Sequence, residues 1–153
     1  MEKSRVVEAL SAQLEQSYER MLEAARKTEE AATDPENRAE NKYDTRGLEA
    51  SYLAAGQSEQ LADMADALRK IQQATFREFS ADEAIDAGAL VGAEFGGETD
   101  YFLLAPAAGG MLIEIDDCEI NVLAPGAPLR DKLLGLCVGD EVSQPSLKVM
   151  AVQ

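Results

Sequence analysis

From Glu2 to about Ala32 the chain contains neither glycine nor proline, and alanine, leucine, glutamate, glutamine, arginine and lysine dominate. These are strong helix formers, so the segment predicts one helix of about 30 residues. Its larger apolar residues, Val7, Leu10, Leu14, Met21 and Ala25, with Tyr18 filling the missing step, recur every three or four positions and draw one narrow stripe. A stripe of that width suits a partner helix better than a broad core. Between Thr33 and Gly47 the sequence TDPENRAENKYDTRG has no aliphatic residue larger than alanine, and Thr33-Asp34-Pro35 carries turn and helix-start chemistry. Apolar residues resume at Leu48, Tyr52 and Ala55, and then at Leu61, Met64, Leu68, Ile71 and Thr75, where spacings of three, four, three and four are the heptad pattern. Two helices of matched length joined by a polar tip pack most simply as an antiparallel hairpin, about 45 Å long at 1.5 Å per residue. An ordinary helical pair and an intermolecular coiled coil through Leu61–Thr75 fit the same periodicity.

After the acidic SADEAIDAG stretch the period changes. Short runs at Ala89–Phe95, Tyr101–Ala105, Met111–Ile115 and Ile120–Leu123 are separated by GGETD, PAAGG and DDCE, a pattern of strands in an antiparallel meander. Ala127–Gly135 reads as a single short helix with Pro128 in its first turn and Gly135 as its cap. A turn at Val138-Gly139-Asp140 and strands around Glu141–Val142 and Leu147–Val152 follow. The fold class is therefore α+β, with a helical finger over residues 1–79, its tip near 33–47, and a β-rich domain over 80–153.

Composition sharpens that division. Residues 1–80 hold 16 acids and 11 bases, whereas residues 81–153 hold 13 acids and 3 bases together with nine of the eleven glycines and four of the five prolines. A net charge of −15 over 153 residues repels nucleic-acid phosphate and argues against a free-standing DNA binder. No apolar run approaches a membrane span, and MEKSRVVEAL is not a secretory signal, which points to a cytoplasmic protein. The chain has no histidine, and its two cysteines, Cys118 and Cys137, form no CxxC pair. Zinc fingers and histidine-based catalysis are thereby excluded, and the cysteines read as small buried hydrophobes. Gly92, Gly96, Gly97, Gly109 and Gly110 lack phosphate-loop spacing and read as turn residues.

The segment APLRDKLLGLCVGDEV, Ala127–Val142, resembles the C-terminal signature of the bacterial GreA/GreB transcription elongation factors, approximately S-P-[IL]-G-[RK]-A-L-[IL]-G-K-x-V-G-D-E-V. Pro128, Leu129, Leu133, Leu134, Gly135, Val138, Gly139, Asp140, Glu141 and Val142 match, ten of sixteen positions, while Ala127, Arg130 and Asp131 depart from it. Nearer the finger tip, Ala50, Tyr52, Ala54 and Ala55 are similar to the family's A-E-Y-H-A-A segment.

The resemblance implies an FKBP-like C-terminal domain that docks at the rim of the secondary channel of RNA polymerase, with the finger inserted towards the active centre. Pro128, Leu129, Leu133, Leu134, Gly135, Val138, Gly139 and Asp140 are then the docking candidates. It further implies a monomer that is not itself an enzyme. Tip carboxylates would help hold the polymerase's second Mg²⁺, so that backtracked RNA is hydrolysed by the polymerase, and the chain would bind no cofactor of its own and meet nucleic acid only inside the elongation complex. Carboxylate oxygens suit that hard cation, and two-metal sites activate water for in-line attack.

With the family's tip tyrosine aligned on Tyr52, Thr45 and Leu48 fall where the family has its aspartate and first glutamate. Asp44 and Glu49 each stand one position outside that pattern and are the candidate carboxylates, with Glu40 in reserve. Arg38, Lys42 and Arg46 are interleaved with them, either as local partners on a solvated helix face or as groups meeting RNA phosphate. Other readings stay open: a Gre paralogue that occludes the channel without promoting cleavage, a dimerisation module, and a prolyl isomerase, for which Phe95, Tyr101 and Phe102 supply few aromatics.

Overall fold

A computed structural model describes residues 2–37, 43 and 45–153. Helix α1 spans Lys3–Thr33, a 3-10 turn follows at Pro35–Asn37, and α2 spans Arg46–Gln73. Strands β1 (Leu90–Phe95), β2 (Glu98–Leu104), β3 (Leu112–Ile115) and β4 (Cys118–Leu123) come next, then α3 (Pro128–Leu133), β5 (Glu141–Ser143) and β6 (Ser146–Val152). The protein is α+β. The chain forms two compact units, one of Met1–Ala12 with Ala67–Gln153, the other of Gln13–Asp66.

In the first unit the strands form one six-stranded sheet in the order β3-β4-β2-β1-β6-β5. The antiparallel meander expected from the spacing is corrected at one place: β4 lies between β3 and β2 and pairs with β2 in parallel, Tyr101 opposite Ile120 and Leu104 opposite Leu123. The loop after β2 carries the chain past the position of β4 to an edge. There β3 pairs only with β4, across the tight Asp116-Asp117 turn in which both residues have positive φ. Gly92, expected in a turn, lies inside β1 at an irregularity where the register with β6 shifts and leaves Met150 as the extra residue.

Both faces of the sheet are apolar and both need cover. On one face Val91, Ala93, Phe102, Leu104, Leu147 and Val149 pack with Ile85, Phe79 and Leu133 of α3. The opposite face presents Leu90, Leu103, Ile113, Ile120 and Val122, all buried. The start of α1 and the end of α2 belong to this unit, with Val6, Leu10 and Ile71 fully buried. Polar contacts fix the join. Arg5 Nη1 lies 2.6 Å from Asp116 Oδ2 in the β3–β4 turn, holding the Asp116 carboxyl below its usual range. Lys3 donates to the Arg77 carbonyl and lies 5.1 Å from the centre of the Phe79 ring, on whose face the Arg77 guanidinium also stacks.

In the second unit the two helices run antiparallel. One cleft joins Leu22 and Ala25 of α1 to Gln57 and Leu61 of α2, and the next joins Thr28 and Ala31 to Gly47 and Ala50, so position rises along one helix as it falls along the other. The α1 stripe sits as expected from Leu10 on, with Leu10 and Leu14 buried and Tyr18, Met21 and Ala25 half-buried, but it begins at the fully buried Val6, beside which the expected Val7 is only half-buried. In α2 the expected phase holds from Leu61 to Ile71 but not before. Leu48, Tyr52 and Ala55 are exposed, and the half-buried line continues instead through Gln57, Ala54 and Ala50. The reason lies in the step of six from Ala55 to Leu61, which breaks the heptad. Carrying the steps of four and three back from Leu61 selects small and polar residues, which a search for large apolar side chains passes over.

Candidate functional site

Two regions carry the candidate residues. At the finger tip α2 begins after Thr45, whose carbonyl accepts the Glu49 N–H at 2.9 Å and whose hydroxyl donates to Glu49 Oε1 at 3.2 Å. Glu49 thus stands in the first turn of α2, where its charge is favoured by the exposed N–H groups of the helix start, and its side chain is open to solvent. Arg46, at the first position of the helix, is exposed as well. Asp44, Glu40, Arg38 and Lys42 lie outside the described residues. Close to Glu49 in the sequence, Tyr43, Leu48, Tyr52 and Leu53 are 79, 56, 72 and 55% exposed. Thr45 precedes the first residue of α2 as its capping residue, and Leu48 is exposed in its first turn. Among the described residues no group of three or more acidic or cysteine side chains could hold a metal ion, and no helix is long and apolar enough to cross a membrane.

The second region is α3 and the turn after it. Leu133 is completely buried in the sheet core, and Leu129 packs half-buried against the same cluster. Pro128, Leu134, Gly135, Val138, Gly139 and Asp140 are exposed. Local chemistry accounts for the shape. Leu134 N–H closes the helix onto the Arg130 carbonyl, and Gly135 follows at φ +84°, a conformation that costs a residue with a Cβ. Cys137 to Asp140 form a turn in which Asp140 N–H donates to the Cys137 carbonyl at 3.0 Å and Gly139 takes φ +95°. Glycine is favoured at that third position of the turn. The Asp140 carboxylate in turn accepts the Cys137 N–H at 2.8 Å. Leu133, Gly135, Gly139 and Asp140 therefore each have a folding role.

The sequence reading passed over two features here. Arg130 is buried and its Nη1 donates to the Ala105 and Leu123 carbonyls at 2.6 and 2.9 Å, tying α3 to the ends of the parallel pair β2 and β4. A shallow hollow of about 230 Å³ beside α3 is lined by Leu129, Phe95, Phe102, Asp100 and Pro145. Cross-strand register places Phe95, Asp100 and Phe102 on one face, so alternation along β1 and β2 was the available signal. Cys118 and Cys137 are free and half-buried.

Neither a family model nor a curated protein matches the chain. Solved structures similar to it include the GreA factor homolog 1 (Gfh1) protein of Thermus thermophilus, at 20% identity over 94% of each chain with a TM-score of 0.38. The likeness is to a GreA homologue. Gfh1 of Thermus aquaticus follows at 19% identity, 95% of each chain and a TM-score of 0.38, and a further structure titled as the transcription factor Gfh1 at 21% identity, 95% of this chain and 94% of that one, and a TM-score of 0.36. At that identity and TM-score the likeness to Gfh1 by itself assigns neither a partner nor an activity.

Proposed function

We propose that this chain is a transcription elongation factor of Gre type, which binds RNA polymerase and inserts its helical finger into the secondary channel to promote cleavage of backtracked RNA. The observation that carries the reading is the pairing, in one chain, of the Ala127–Val142 segment with a helical pair whose far end exposes a carboxylate, Glu49, in the first turn of α2. In this reading the FKBP-like domain docks at the channel rim through Leu134, Val138 and the Asp140 turn, with Leu129 contributing its exposed edge. Asp44 and Glu49 then lend oxygen ligands to the second Mg²⁺ of the polymerase, which activates water for attack on the phosphodiester. The chain acts in the cytoplasm as a monomer, is not an enzyme alone, and contacts RNA only within the complex.

A second reading has its own observation. Leu48 stands where the family has a carboxylate, and with Tyr43 and Tyr52 it makes the tip bulky and apolar. Such a tip fills a channel without completing a metal site, which gives a factor that occludes rather than cleaves.

RNA cleavage in purified backtracked complexes separates the two, comparing wild type with Asp44→Asn/Glu49→Gln at equal polymerase occupancy. Stimulation by the wild type that the double variant loses supports the cleavage reading. Polymerase bound without stimulation supports occlusion, and no binding refutes both.

A further inference from the structure

The helical pair changes character along its length. At its base Val6, Leu10 and Ile71 are fully buried, yet within Gln13–Asp66 Leu14 is the only buried residue among those described. Beyond Leu14 the seam still holds Tyr18, Met21, Leu61 and Met64, each only half-buried, and towards the tip it narrows to Ala25 and Thr28 on α1 and Ala50, Ala54 and Gln57 on α2. Half-buried and small side chains of this kind bring little apolar area out of water. Gln57 carries a direct cost as well, because its Oε1 is buried with no hydrogen-bond partner among the described residues.

Further features weaken the same stretch from within the helices. Gly56 lies in the middle of α2 with open space around the place of its absent Cβ, so it contributes backbone freedom and no packing. Thr28, Ser51 and Ser58 turn their hydroxyls back onto the carbonyls four residues earlier, at 3.0, 2.9 and 2.9 Å, an alternative bond that slightly destabilises and bends a helix. On the exposed side, Arg26 pairs with Glu23 and Glu30, contacts within α1 that persist when the two helices part.

From these observations we infer that the distal helical segments, residues 13–33 and 46–66, open as a separate element: they part and re-pair while the base of the pair and the sheet stay folded. Proteins commonly open in such cooperative pieces, and the piece that opens first is the one with few buried apolar contacts. The inference stands on the seam alone and holds whatever the finger binds.

Native-state hydrogen exchange of the full chain, read peptide by peptide by mass spectrometry, tests it with two variants. In the wild type the amides of 50–64 should exchange together, at least about 100-fold faster than those of β1 and of Val6–Leu10. Gly56→Ala should slow the distal amides about fivefold through helix propensity alone. Gln57→Leu, which removes the unpaired oxygen and adds a methyl group to the seam, should slow them about tenfold. Neither variant should alter exchange in the sheet. Equal protection along the whole of α2, slowing of distal and sheet amides by one common factor, or no slowing in Gln57→Leu would each overturn the inference.

Discussion

Replacing Arg130 with methionine asks whether the fold rests on a buried guanidinium in the way its geometry states. Methionine keeps an unbranched apolar stem of similar reach and removes the donor. In the wild type Nη1 donates at 2.6 Å to the Ala105 carbonyl and at 2.9 Å to the Leu123 carbonyl. The two losses differ in weight. Leu123 O still accepts the Ala105 N–H at 3.1 Å, whereas Ala105 O is left buried without its donor. A hydrogen bond from a charged donor contributes about 1.5–3 kcal/mol, and a buried acceptor left unpaired costs about 1–3 kcal/mol, while the guanidinium's own desolvation cost is recovered. The balance is a loss of about 2–3 kcal/mol. For a chain of this size that lowers the midpoint of the main calorimetric transition by roughly 4–12 °C. Arg130→Lys keeps the charge but not the planar fork and falls between. The reasoning fails if Arg130→Met unfolds within about 0.5 kcal/mol of the wild type, a change ordinary for surface sites.

Other predictions follow the same geometry. Leu133→Ala, at a fully buried site in the sheet core, should cost about 2–5 kcal/mol in urea unfolding. Gly139→Ala should cost about 1–3 kcal/mol, and through backbone conformation alone, because φ is +95° while nothing lies within 4 Å of the added Cβ. Glu83 is held below the usual carboxylate range, first by the Ser80 N–H at 2.7 Å, then by the Ser80 hydroxyl and Arg77. A lowered folded value means that its contribution is present above the ordinary glutamate value of about 4.3 and is lost as pH falls through the folded one. Glu83→Gln should therefore flatten the acid limb of the stability profile below about pH 5, as followed by thermal unfolding across pH.

How much of this was legible in the sequence differs from element to element. Both long helices could be read, because a run of helix formers, unbroken in α1 and interrupted in α2 by Gly47 and Gly56, leaves little alternative, and most of the strand runs were bracketed by glycine, proline and aspartate. Strand order could not. Alternation fixes which residues share a face, and nothing local says that β4 inserts beside β2 instead of extending a meander. The seam of α2 misled at Leu48 and Tyr52 because size was taken as the sign of burial, where the structure half-buries alanine and glutamine. The burial of Arg130 escaped notice for the opposite reason, since one of three cations in an acidic domain reads as surface until the carbonyls around it are seen. That the start of α1 joins the unit of the sheet depends on contacts distant in the chain, such as Arg5 with Asp116. At the candidate site the turn chemistry of Gly135, Gly139 and Asp140 was visible as a motif, whereas the hollow under Leu129 arises only when β1 and β2 pair.

The claim at the centre is that the finger tip enters the polymerase. A photo-crosslinking amino acid in place of Tyr52, a position 72% exposed, reports it directly when the full chain is bound to purified elongation complexes. The account predicts adducts with polymerase residues lining the secondary channel close to the catalytic Mg²⁺, lost on competition with unlabelled protein. Adducts confined to the outer surface of the polymerase, or none at saturating concentration, would contradict it.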